Sequence, residues 1–420
     1  MASATMTAEN AVPDRSILAF SYPPFRYFWV TTLCASFAAQ IMSVAVAWEI
    51  WFLTGNAVFL ALVGLAQFLP ALSLVLVTGL VADRFPRRRI IQVAMVAELG
   101  CALSLLYFAL SGYGEVWPIF VILVILGTAR AFVGPAGSSL APNLVPPAAL
   151  SNAVSMNATA WQLAGVLGPV ASGLLLTLGA PVAFSAAGVL ALVAFVSISF
   201  VRSPLQYTQG QETNIQTLLA GFRYIWREKV VLGAISLDLF AVLMGGAVAL
   251  MPIFATDILH AGPLGLGLLR SAPGIGAITM ALWLSRFPVR DHAGIILFSF
   301  VAAFGFFTLC FGLSTSVWLS VPLLALIGAC DMVSVSIRET IMQLWTPDEV
   351  RGRVNAVNSV FIGASNELGE FRAGMMAAWI GAQAAVVFGG AATIAVAGIW
   401  SQIFPGIRQQ RAIDRKMVEG

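Results

Sequence analysis

Gly79-Leu80-Val81-Ala82-Asp83-Arg84-Phe85-Pro86-Arg87-Arg88-Arg89 sets four arginines and one aspartate between two apolar runs. The run before it, 57–82, has no charged residue, and the run after it, 90–111, has only Glu98. About 20 apolar residues cross the hydrocarbon core of a bilayer as a helix, so the stretch reads as a charged loop between two membrane spans. The rest of the chain repeats the pattern. Of its 420 residues, 59% are hydrophobic and 10% charged, against roughly 25% charged in a soluble protein, and mean hydropathy is +0.91. Twelve spans of about 22 residues would leave only short loops. These proportions exclude an ordinary soluble enzyme and a nucleic-acid binder, and predict an all-α polytopic membrane protein.

The predicted spans are 27–53, 57–82, 90–111, 117–140, 151–178, 182–202, 230–257, 263–285, 293–312, 317–337, 353–379 and 382–403. An even number puts both termini on one side, and basic residues mark the cytoplasmic side. Nineteen of the 22 Lys and Arg fall on the side of the termini, among them Arg26, Arg84, Arg87, Arg88, Arg89, Arg202, Arg286, Arg338 and Arg408. The opposite loops have none, so both termini are expected to be cytoplasmic. The other three, Arg130, Arg270 and Arg372, lie inside spans. Cys34, Cys101, Cys310 and Cys330 stand singly in apolar runs, and His260 and His292 fall at opposite ends. Neither a metal site nor a disulfide framework is expected, and no cofactor is implied. The first 24 residues lack the charged, apolar and cleavage regions of a signal peptide.

The longest interruption, Arg202–Glu228, divides the chain. Ile215, Leu218, Leu219, Phe222 and Ile225 follow helical spacing within it, and Arg223, Arg227 and Lys229 place this amphipathic segment along the cytoplasmic membrane surface. The expected organisation is a first unit over 1–205, a linker over 206–228 and a second unit over 229–420. The units echo each other at an offset of about 201: Val116-Trp117 recurs as Val317-Trp318, Gly127 as Gly328, Leu167-Gly168 with Gly173 as Leu368-Gly369 with Gly374. Asp83-Arg84-Phe85-Pro86-Arg87-Arg88 is echoed by Ser285-Arg286-Phe287-Pro288-Val289-Arg290. Two parallel six-helix repeats resemble the major facilitator superfamily, whose fold is two pseudo-symmetric six-helix bundles with the substrate site between them near the midplane.

The opening stretch is similar to that superfamily's G-x-x-x-D-R-x-G-R-R signature, with Pro86 where Gly is usual. The resemblance implies a gate made by Gly79, Asp83, Arg84, Arg87 and Arg88, in which Asp83 meets the cytoplasmic end of the eleventh helix and the arginines face anionic lipid headgroups. Thr346-Pro347-Asp348-Glu349 has the spacing of an N-cap, an N1 proline and an N3 acid ahead of that helix, or of a cap on a short cytoplasmic helix. Gly165, Gly168, Pro169, Ser172 and Gly173 resemble the antiporter signature of exporters, a close-packing surface. Arg130-Ala131-Phe132-Val133-Gly134 resembles R-x-x-Q-G, with Val133 in place of Gln. Thr346–Arg353 and Ser365-Asn366-Glu367-Leu368-Gly369-Glu370 resemble the branch of enterobactin exporters and macrolide efflux proteins.

Charges within spans are costly and need a partner, a wet cavity or a neutral form. The acids are Glu49, Glu98, Asp238, Asp331, Glu367 and Glu370, and the bases Arg130, Arg270 and Arg372. Glu98 reads as structural, because the third helix is peripheral in the resembled fold. Glu367 and Glu370, three apart, share a helix face. Trp117 and Trp318 suit the outer interface, and Arg130 and Asp331 each follow by thirteen residues, about 20 Å further in. In the resembled fold their helices line the cavity, so Arg130 and Asp331 are expected to pair across it as a proton-coupled switch, with Asp238 in reserve. No phosphate-binding loop is present, so energy is expected from a gradient. The function expected is proton-coupled export of a small amphipathic molecule, a siderophore or a drug, by a monomer in a bacterial inner membrane that is not an enzyme. A lysophospholipid translocase or a nutrient importer on the same fold is the alternative.

Overall fold

The structure is a computed structural model. It describes residues 18–112, 114–202, 215–289 and 291–409. The side chains of Leu76, Asp83 and residues 215–220 lie outside the description, as do Arg15, Arg290, Arg411, Arg415 and Lys416. Among the described residues every substantial element is a helix, and ten are long and apolar enough to cross a membrane. The helices are α1 Pro23–Thr54, α2 Ala57–Ser73, α3 Val75–Arg84, α4 Arg87–Ser111, α5 Trp117–Leu140, α6 Leu150–Thr177, α7 Ala180–Phe200 and α8 Ile215–Arg227. They continue as α9 Lys229–Gly245, α10 Met251–Ile253, α11 Gly262–Arg286, α12 Ala293–Leu313, α13 Val317–Trp345, α14 Asp348–Ile380, α15 Ala382–Ile403 and α16 Pro405–Arg408.

Local chemistry sets several boundaries. Pro23 and Pro24 open α1, where a missing N–H costs nothing. Gly55 closes α1 at φ 56°, donating its N–H to Trp51 O. Asn56 caps α2 by accepting from Val58 N at 2.9 Å. The predicted span 57–82 is split at Leu74, where the Ser73 hydroxyl donates to Pro70 O and competes with the helical ladder. The predicted span 230–257 is also broken. After the Gly245-Gly246 pair it continues as a short 3₁₀ turn, α10 and a π-helical turn over Phe254–Ile258, and glycine pairs are common causes of such breaks.

Two expectations need correction at helix ends. The predicted end of the tenth span at 337 left Arg338 in a loop, but α13 runs on to Trp345 with Arg338, Ile341 and Met342 buried. The capping pattern at Thr346–Glu349 does not form. Pro347 is the N-cap, Asp348 begins α14, and no side chain caps it; Arg351 instead bonds Asp348 at 2.6 Å and Thr346 O at 3.2 Å. The segment leads straight into a single continuous α14, with no separate short helix before it.

In the first part of the chain α1 packs on α6 and α7, α4 on α5 and α7, and α2 on α5; in the second, α12 packs on α13 and α15, α11 on α13, and α9 on α14 and α15. The two parts meet where α6 crosses α11 and α2 crosses α14. One apolar cluster joins both parts at the end away from the termini, including Val44, Ile50, Leu60, Leu250, Phe254 and Leu269. At the other end the parts are cored separately, one around Phe25, Met95 and Leu140 and the other around Leu237, Leu297 and Ile337.

The repeat reappears as contacts. A Cβ on Gly127 would lie 2.7 Å from Gln67 Cα of α2, and one on Gly328 would lie 2.7 Å from Pro273 Cα of α11. Gly173 presses against Gly267 of α11, and Gly374 against Ala61 of α2, each leaving 3.0 Å to the facing Cα. Helix α8 packs on α14. A Cβ on Gly221 would meet Arg353 O at 2.7 Å, and the Phe222 ring stacks on Phe361. Ile225 is buried while Trp226 is exposed, an amphipathic division in keeping with the predicted helix.

Candidate functional site

A cavity of about 610 Å³ opens among α1, α4, α5 and α6, in the region where the two parts are cored separately. That volume suits a small organic molecule. Phe28, Met95 and Trp161 give it apolar walls, and Gln40, Asn157 and Arg130 contribute polar atoms. At its edge Arg130 donates to Glu98 at 3.0 Å and to Gln67 at 3.1 Å. The Glu98 side chain is only 3% exposed, and Arg130 Nε and Asn157 Oδ1 are buried without partners.

The seam between the two parts has its own charges. Arg270 of α11 donates to Ser43 of α1 at 3.0 Å, and it lies within electrostatic reach of Glu367 and Glu370 of α14. Gly64 of α2 makes room for these acids: a Cβ there would overlap Glu367 Oε2 and sit 3.8 Å from Glu370 Oε2. Glu367 Oε2 is buried with no hydrogen-bond partner. Four helices thus converge on two carboxylates and one guanidinium.

A third cluster is internal to the second part. Arg338 of α13 pairs with Asp238 of α9 at 2.6 Å, both buried. Asp331 lines a void of about 10 Å³ together with Asp238 and Ser334. Arg130 and Asp331 therefore turn to different neighbours, and among the described residues no hydrogen bond or ion pair joins them.

Arg372 has a backbone role. Its guanidinium donates to Leu243 O at 2.9 Å and Met244 O at 2.5 Å, the carbonyls left free where α9 breaks. A cation at a helix C-terminus is favourable. Glu49 is half-buried beside Val46 and Leu105.

The expected gate is resolved in part. Gly79 and Asp83 lie in α3, with the Asp83 side chain outside the description. Arg84 is exposed, but Arg87 and Arg88 correct the expectation that they face lipid headgroups. Arg87 donates to Ser139 O at 2.8 Å and Arg88 to Ser199 O at 2.5 Å, near the ends of α5 and α7. The antiporter-like stretch is a packing surface. Gly168 presses on Gln40, Ser172 donates to Ile41 O at 3.0 Å, and a Cβ on Gly267 would meet Pro169 O at 2.6 Å. Gly165 faces open space.

Sequence reading misses four contributors. Arg338 reads as a loop residue by its charge, Gly64 gives no signal of its own, and Asn157 and Trp161 lie on a span with no ionisable residue to draw attention to them.

The chain is 26% identical over 357 residues to the multidrug efflux pump Tap of Mycobacterium tuberculosis, covering 82% of this chain and 84% of the relative. It is 27% identical over 350 residues to the enterobactin exporter EntS of Escherichia coli, covering 80% and 81%. The fold matches that of a bacterial homologue of the human lysosomal transporter Spinster in an inward-facing, unoccupied conformation, at a TM-score of 0.68 and 14% identity over 92% of this chain and 95% of that one. The family model described as transmembrane secretion effector matches residues 16–417. With its helices, cavity and intramembrane charges, the chain belongs to the transmembrane secretion effector family of the major facilitator superfamily.

Proposed function

We propose that this protein is a proton-coupled exporter of a small amphipathic molecule, working by alternating access. The observation that carries the proposal is the seam cluster. Arg270, Glu367 and Glu370 belong to the second part of the chain, yet they sit against Ser43 and Gly64 of the first. Two carboxylates face one guanidinium, and a buried Glu367 oxygen lacks a partner. One further positive charge balances the cluster, and a proton supplies it. Because the cluster lies between the two parts, gaining or losing that proton changes the free energy of holding them together.

In this reading the twelve predicted spans form two six-helix bundles, 1–205 and 229–420, joined by the 206–228 linker, with both termini cytoplasmic in a bacterial inner membrane. The cavity then faces the cytoplasm, and substrate enters from there. Substrate binding and a proton arriving from outside drive opposite reorientations. Asp83 closes the cytoplasmic side against the end of α14 when the cavity faces outward. Asp238 and Asp331 share Arg338 as a second place for a proton. Export by Tap and EntS, at 26% and 27% identity, supports the direction of transport. The test is uptake into inside-out vesicles under an imposed proton gradient, acid inside. Concentration of an efflux substrate that collapses with a protonophore is expected. Accumulation only in right-side-out vesicles would overturn export.

A further inference from the structure

We infer that the transported molecule carries no net charge: it is a neutral amphipathic compound with an aromatic or alicyclic face and at least one hydrogen-bonding group. This rests on reading the 610 Å³ cavity as the place where substrate binds. The charge of the cavity decides the class. Among the described residues its one cation is Arg130, and Glu98 at 3.0 Å balances that charge, with Gln67 accepting a second bond at 3.1 Å. The remaining nitrogen, Nε, is buried. An anionic substrate would meet a cation already neutralised by Glu98, and freeing that charge by breaking the pair would strand a carboxylate that is 3% exposed.

The next charges toward the seam do not help an anion, since Glu367 and Glu370 outnumber Arg270. An acidic siderophore, rich in catecholate or carboxylate oxygens, finds no surplus positive charge here. A cationic molecule finds no free carboxylate in the cavity wall, because Glu98 is already paired. What the wall offers is neutral. Trp161 is 68% exposed, and it shares the cavity with Phe28 and Met95. Asn157, one turn before Trp161 on the same helix, lines the same cavity with its amide. A polar group of a ligand meets the Asn157 amide while an apolar ring lies on the indole.

Equilibrium binding to the purified full-length protein tests this without requiring transport, so it stays separate from the question of export. The probes are radiolabelled chloramphenicol (neutral, aromatic, with O–H and N–H donors), dihydroxybenzoate (an anionic catechol) and tetraphenylphosphonium (a lipophilic cation). Saturable binding of chloramphenicol and none of the other two is expected. Asn157→Leu and Trp161→Ala should each weaken it about fivefold, the scale of one hydrogen bond or one ring contact, and both should purify as monodisperse protein. Binding of the catechol or the cation as tight as that of chloramphenicol would overturn the inference. So would binding of none of the three, or chloramphenicol binding that both variants leave unchanged. If binding follows the expected pattern and inside-out vesicles still fail to concentrate the probe, export fails and the substrate class stands.

Discussion

Arg130 Nη2 and Glu98 Oε1 lie 3.0 Å apart, joining α5 to α4 at the rim of the cavity. Glu98 is thus the counter-charge of Arg130, on a helix expected to be peripheral. Replacing Glu98 by Ala leaves a cation held by Gln67 alone. Because Arg130 is 28% exposed on the cavity side, water offsets part of the loss, and a destabilisation of about 1–3 kcal/mol is expected. Glu98→Asp should recover part of it. Thermal unfolding in detergent measures both, and an unchanged midpoint for Glu98→Ala would show the pair to be dispensable.

Arg372 should behave as a cap. Arg372→Met keeps the bulk of the side chain but leaves the Leu243 and Met244 carbonyls without their charged donor. A cost of about 1–3 kcal/mol follows, with Arg372→Lys intermediate because it cannot fork across both carbonyls. Amide hydrogen exchange should quicken around Met244–Leu250 before the rest of α9. Uniform exchange across α9 would argue against a local cap.

The crossing of α6 and α11 tolerates no side chain at Gly267, where a Cβ would lie 2.6 Å from Pro169 O. Gly267→Val should therefore separate this contact at a cost of about 1–3 kcal/mol and bias the protein away from the conformation described here. Alkylation of single cysteines placed along α6 and α11 reads that shift. The same labelling pattern in the variant and the parent would mean that the close approach has no role in the conformational balance.

The buried Asp238–Arg338 pair predicts non-additivity. Asp238→Asn alone leaves the Arg338 charge uncompensated and should cost about 3–5 kcal/mol. Adding Arg338→Gln removes the stranded charge, so the double variant should be more stable than Asp238→Asn. With Arg338→Gln measured alone, a double variant destabilised by the sum of the two single changes would show that the pair is not coupled.

How much of this is legible in sequence depends on the length scale of the signal. Spans are legible because twenty or so consecutive side chains report the same solvent. The loop Asp83–Arg89 and the glycines Gly127, Gly328, Gly173 and Gly374 are legible because the repeat places each twice, and their contacts are equivalent in the two parts. Ion pairing is not, because the repeat does not extend to partners. Position 98 corresponds to Ser299, and position 338 to Gly137. Arg130 and Asp331 match in register while their surroundings differ, so each pairs with what its own side offers. Arg338 escapes hydropathy, which ends a span at the first charge, although Ile341 and Met342 keep α13 buried beyond it. The break in α9 follows from Gly245-Gly246, a pair that single-residue hydropathy reads as neutral.

The central claim is that a proton bound at the seam is exchanged for substrate, with Glu367 and Glu370 as its carriers. The most direct measurement is the pH-gradient fluorescence of respiring inside-out vesicles when chloramphenicol, a macrolide or enterobactin is added in turn. Proton exchange predicts that at least one of them dissipates the acid interior of vesicles bearing the parent protein. The double variant Glu367→Gln, Glu370→Gln, expressed at the same level, should give none of that response. A full response in the double variant, or none in the parent while substrate is still concentrated, would contradict the claim.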